Sequence, residues 1–178
     1  GRRLGHVAAV GHGTVAAVER GDEGQALSFT RAPDGSYVAA PGVTATLARN
    51  TNGTFTLQER LGRTWTFATN GVLSRIEDPS GNYTALYYTN ASYLVAVSNS
   101  FGRKMTVSWS GGRVSSVSDN AGRSVSYQYS PSGCLTSVTD AAGCRWAMAY
   151  DTNNVFLSET DPLGVRTVLD SYNALGQV

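Results

Sequence analysis

Residues 119–151 read DNAGRSVSYQYSPSGCLTSVTDAAGCRWAMAYD, and this stretch repeats itself: Asp119, Gly122 and Tyr129 return as Asp140, Gly143 and Tyr150 after 21 residues. The echo extends outward on both sides. An Asp or Asn that opens a turn stands at Asp78, Asn99, Asp119, Asp140 and Asp161, and a glycine follows each after three positions, at Gly81, Gly102, Gly122, Gly143 and Gly164. An aromatic column runs in phase with them, in steps of 20 to 22 residues, at Phe67, Tyr88, Trp109, Tyr129, Tyr150 and Tyr172. Self-similarity at a fixed period of this size marks a repeat architecture, in which each unit is one supersecondary element.

Each period holds two strand-like runs separated by two turn signals. In the first run, Met105, Val107 and Trp109 alternate with Thr106 and Ser108, as Val125, Tyr127 and Tyr129 alternate with Ser126 and Gln128. That period of two predicts a half-buried strand with an aromatic at the far end of its apolar face. In the second run Leu135 and Val138 stand three apart, so alternation fails and a bulge or strong twist is expected. Asp-x-x-Gly places an Asx side chain at the first position of a type I turn, with Pro tolerated second as in Asp78-Pro79 and Asp161-Pro162. The opposite turns are marked by Asn70-Gly71, Gly111-Gly112 and Pro131-Ser132-Gly133. The expected fold is all-β, an antiparallel meander of about 21-residue units that advances about 10 Å per unit. The array occupies 58–178, with five to six repeats and the last incomplete. Residues 1–57 form a β-hairpin segment leading into it, within which helix and strand are both open for 1–23.

Composition agrees with this reading. Of 178 residues 41% are apolar and only 15% charged, with 20 glycines and five prolines, the balance of a turn-rich β protein with a core and not of a disordered chain. Fourteen basic against 13 acidic residues leave no global field for nucleic acid or an acidic membrane. No apolar run reaches the length of a membrane span. The chain reads as a piece of something longer, because it stops within the repeating pattern.

Gly122-Arg123-Ser124-Val125-Ser126-Tyr127-Gln128-Tyr129, then Gly133-Cys134-Leu135-Thr136-Ser137-Val138-Thr139-Asp140, together with Tyr150-Asp151, resemble the tyrosine-aspartate (YD) repeat of the RHS family. The resemblance covers about 58–178 well and the preceding segment more loosely. It implies a curved or spiralling sheet that forms part of a shell, in bacterial surface or secreted proteins that often enclose a C-terminal toxin. The implied function is structural: to scaffold, display or partly enclose another part of the same polypeptide. The alternative is a self-associating extracellular fibre or adhesin, built by pairing of sheet edges and offering a surface to a glycan or protein ligand. The expected partners are therefore the rest of the parent polypeptide or copies of the chain itself.

Candidate sites are few. One carboxylate per turn favours turn capping over an ion site for the recurring aspartates. The aromatic column is expected to pack in the core, whereas Tyr83 and Tyr87 fall on the opposite strand face as candidate exposed contacts. Cys134 and Cys144 flank a hairpin roughly 15–20 Å apart, too far for a bond within it, which leaves free thiols or an intermolecular disulfide. His6 and His12 form no triad or metal grouping, and Gly11-x-Gly13 alone is no nucleotide loop. No catalytic residue, cofactor or metal is expected.

Overall fold

The computed structural model describes residues 5–10, 15–20, 26–90 and 93–169. All regular structure among them is β-strand, and the chain divides into two compact units, Gly1–Lys104 and Met105–Val178.

In the first unit, β1 (Gly5–Val10), β2 (Val15–Arg20), β3 (Ala26–Arg31) and β4 (Tyr37–Ala39) form a four-stranded antiparallel sheet in chain order. The segments around Gly11-x-Gly13 that were open to helix or strand are thus paired strands, with Val7 opposite Val18. Gly11, His12 and Gly13 lie outside the described residues, as does Tyr172. A second antiparallel run follows: β5 (Thr46–Arg49), β6 (Phe55–Gln58), β7 (Thr64–Phe67), β8 (Leu73–Glu77), β9 (Tyr83–Thr89) and β10 (Tyr93–Asn99). The core lies between these layers. Phe29 of β3 packs with Leu47, Leu57, Trp65, Phe67, Leu73 and Leu86, and all are buried. Leu27, Tyr37 and Ala39 add to it from the first sheet. Tyr37 meets Phe55 edge-to-face with ring centres 6.3 Å apart.

The second unit repeats the meander without a second layer among its described residues. β11 (Lys104–Ser110, beginning one residue before the unit), β12 (Arg113–Asp119), β13 (Ser124–Tyr129), β14 (Leu135–Thr139), β15 (Arg145–Tyr150), β16 (Phe156–Thr160) and β17 (Arg166–Leu169) pair antiparallel in chain order. Cross-strand partners share a face in such a ladder. The pairs Val107–Val117, Val117–Val125, Tyr127–Val138 and Val138–Trp146 therefore build one apolar face. The pairs Ser116–Ser126 and Ser137–Ala147 belong to the other, hydroxyl-rich face.

Burial separates the units. Every buried apolar side chain of the described residues lies in the first, and the buried residues of the second are Ser137 and Ser158. Ser137 remains satisfied because its hydroxyl donates to Oε1 of Gln128 at 3.0 Å. The expectation that the aromatic column is core must be corrected here. Phe67 is buried and Tyr88, Tyr129 and Tyr150 are half-buried, but Trp109 is 36% exposed, and Met105 on the same face is 50% exposed. Alternation specifies which face is apolar, whereas burial also needs a layer to cover that face. Phe67→Ala is expected to cost about 3–5 kcal/mol, and Trp109→Ala distinctly less, in urea unfolding of the full chain. Equal losses would contradict the two burial environments.

Candidate functional site

The chemistry-bearing positions of this chain are repeat positions, and the structure shows how each is held. At the aspartate turns the glycine N–H donates to the carbonyl of the first turn residue, as in Gly81 to Asp78 at 3.0 Å and Gly164 to Asp161 at 3.0 Å. The first residue's own N–H donates across the turn, as in Asp119 to the Arg123 carbonyl at 2.9 Å. This is a type I turn followed by one residue in the left-handed region. Gly122 has φ +84° there, and Asn154 fills the same position with φ +64° in the turn opened by Asp151. The carboxylate completes the turn: Oδ1 of Asp119 accepts from the N–H groups of Ala121 and Arg123, both at 3.0 Å. Asp78, Asn99, Asp140, Asp151 and Asp161 repeat that double acceptance.

At the other end of each strand pair stands the aromatic column, and a bulge lies beside it every time. Phe67 faces Leu73, Tyr88 faces Leu94, Trp109 faces Val114, Tyr129 faces Leu135 and Tyr150 faces Phe156. In each case the register shifts by one extra residue on the second strand, namely Ser74, Val95, Ser115, Thr136 and Leu157. The three-residue spacing of Leu135 and Val138 was the legible trace of this. The Tyr129 hydroxyl donates to the Val114 carbonyl at 3.0 Å, and the Tyr150 and Phe156 rings meet edge-to-face at 5.7 Å. Burial raises the hydroxyl pKa of Tyr88 and of Tyr150, the latter also through the neighbouring Cys134.

Turns of neighbouring repeats interlock. A Cβ on Gly62 would stand 2.9 Å from Cγ of Pro79, and a Cβ on Gly133 would collide with the Arg113 guanidinium, which also lies over the Tyr129 ring at 5.7 Å. In the next repeat the Cys134 thiol, at the position of Arg113, donates to Oδ1 of Asn154 at 3.5 Å. Cys134 is half-buried, Cys144 is exposed, and both are free thiols. Their backbones belong to turns at opposite ends of the β14–β15 hairpin, Cys134 N–H bonding Ser130 Oγ and Cys144 N–H bonding Asp140 Oδ1.

Tyr87 is 51% exposed, and its hydroxyl lies 3.5 Å from Ser98 Oγ. The Tyr83 ring is covered on one side by the Arg75 guanidinium at 3.8 Å, which Glu77 holds by a 2.6 Å ion pair. Nothing in the sequence pattern announced that cover, because Arg75 and Tyr83 meet only across two paired strands. Among the described residues no group of three His, Cys, Asp or Glu side chains is placed to hold a metal ion, and no helix is long and apolar enough to cross a membrane.

These features define an all-β repeat protein built on a recurring two-strand unit. Residues 109–145 match the family model described as RHS Repeat, so this stretch of the chain carries an RHS/YD repeat. Among solved structures it is similar to the Tc holotoxin pore of Photorhabdus luminescens, at 17% identity and a TM-score of 0.36, over 93% of this chain and 9% of that one. Comparison with curated proteins gives no match. The matched stretch runs from one column aromatic, Trp109, past the next, Tyr129, to the start of β15.

The interlock is testable. Gly122→Ala, with nothing within 4 Å of the new Cβ, is expected to cost about 1–2 kcal/mol from the left-handed backbone alone. Gly62→Ala should cost roughly 1–3 kcal/mol more by overpacking against Pro79. Thermal denaturation of both variants reads the difference, and identical losses would refute the interlock.

Proposed function

We propose that this chain is a non-enzymatic wall segment of an RHS-type bacterial surface or secreted protein, whose sheet scaffolds, displays or partly encloses another part of its own polypeptide, such as a C-terminal toxin. The observation that carries the reading is the one-sided sheet of the second unit. Its apolar face runs from Val107 to Trp146, its other face is mostly hydroxyl, and none of its apolar side chains among the described residues is buried. A face of this kind is stable when something lies against it, because apolar area left in water contributes nothing to folding. Residues 1–57 then serve as the lead-in to the wall and 58–178 as the wall, with the column aromatics and turn aspartates as its structural positions. Secretion or surface display follows from the same reading. The thiols of Cys134 and Cys144 suit a bond to another chain in an oxidising compartment.

Four measurements test this. The isolated chain is expected to be discrete in light scattering and to bind a hydrophobic dye while folded. Regular polymers in negative-stain microscopy would instead support the self-associating fibre or adhesin. Non-reducing electrophoresis after oxidation should give a crosslinked dimer that Cys144→Ser removes, since Cys144 is the exposed thiol; a monomer-only pattern would remove the interchain disulfide from the proposal.

A further inference from the structure

Six turns share one hydrogen-bond scheme, but not one acceptor. Asp78, Asp119, Asp140, Asp151 and Asp161 present a carboxylate oxygen to the N–H groups two and four residues on, at 2.8–3.0 Å. Asn99 presents an amide oxygen to Phe101 and Arg103 at 3.0 and 3.1 Å in the same geometry. A charged acceptor makes such bonds roughly twice as strong as a neutral one. Protonation leaves a carboxyl with a neutral oxygen, which is the condition Asn99 occupies at every pH.

In two of the aspartate turns the second carboxylate oxygen is held as well, Oδ2 of Asp78 by Asn82 and Oδ2 of Asp119 by Arg123. We propose that the Asp78 and Asp119 turns are acid-released clasps on their strand ends, loosening as those two carboxyls protonate, with the Asn99 turn exempt.

The groups facing the caps act in the same direction. Arg123 binds Oδ2 of Asp119 through Nε at 2.7 Å, and Asn82 donates to Oδ2 of Asp78 at 2.9 Å with the Arg63 charge beyond it. Met105 and Ala141, which border the Asp119 turn, are not ionisable. The carboxyls of Asp78 and Asp119 are accordingly held below the ordinary aspartate value, first by those side-chain bonds and then by the backbone N–H groups. A lowered native pKa means that the contribution is complete above the unfolded value of about 4 and disappears as pH falls through the lower native value. Both arginines stay charged throughout, so their attraction is lost in the same window.

The test follows backbone amides of the full chain by two-dimensional NMR from pH 7 to pH 2.5. The amides of Ala121 and Arg123, with those of Ser80 and Asn82 in the Asp78 turn, should shift with a carboxyl titration and acquire steeper temperature dependence, while Phe101 and Arg103 stay still. Asp119→Asn should abolish the response of its own turn, and Asn99→Asp should create one at Phe101 and Arg103. In thermal melts, D78N/D119N together should reduce the drop in Tm between pH 7 and pH 3. If that variant does not fold, the Asn99→Asp gain of titration decides by itself. Titration of Phe101 and Arg103 in the unsubstituted chain, or no new titration in Asn99→Asp, would overturn the proposal.

Discussion

The structure depends on a cross-strand pair that recurs where a bulge widens the ladder: a column aromatic on the first strand of a repeat against the first or second residue of the second strand. Leu73, Leu94, Val114, Leu135 and Phe156 are the partners, and each is followed by the one residue that has no opposite number. A bulge increases local twist and breaks the alternation of faces. A large ring beside it fills the widened space, and its partner is returned to the apolar face. Without the extra residue, the second strand would carry its apolar residues onto the hydroxyl face, since a one-residue slip inverts every side chain.

What the turns add is closure in a fixed direction. The left-handed residue and the double acceptance at Oδ1 bring the chain back in register after three loop residues, so the next strand begins opposite the last. Packing between successive turns, as where Pro79 lies against Gly62, then couples one repeat to the following one. Repeat proteins derive their cooperativity from such nearest-neighbour contacts.

The same sequence grammar meets two environments. In the first unit Phe67 is sealed by a layer that includes Phe29, Leu47 and Leu57. In the second, Trp109 occupies the equivalent place and keeps a third of its surface exposed. The period, the two-strand unit, the turn chemistry and even the bulge were legible, because each is a local matter of spacing, φ or hydrogen-bond geometry. The cover on Tyr83 was not legible, nor was the pairing of the first two strands, because those contacts join residues whose spacing carries no pattern.

By itself the sequence determined the repeat, the faces of its alternating strands and the five in-phase Asp or Asn caps, since these recur at a fixed spacing, whereas the Asp151 cap, in a turn with Asn154 in place of glycine, escaped that spacing. Only the tertiary structure decided which apolar face becomes a core. Burial depends on whether a second layer lies against that face, and the first sheet supplies Phe29, Leu27, Tyr37 and Ala39 to the core of the first unit. A periodic pattern gives Phe67 and Trp109 the same instruction, and the layer above them gives it a different outcome.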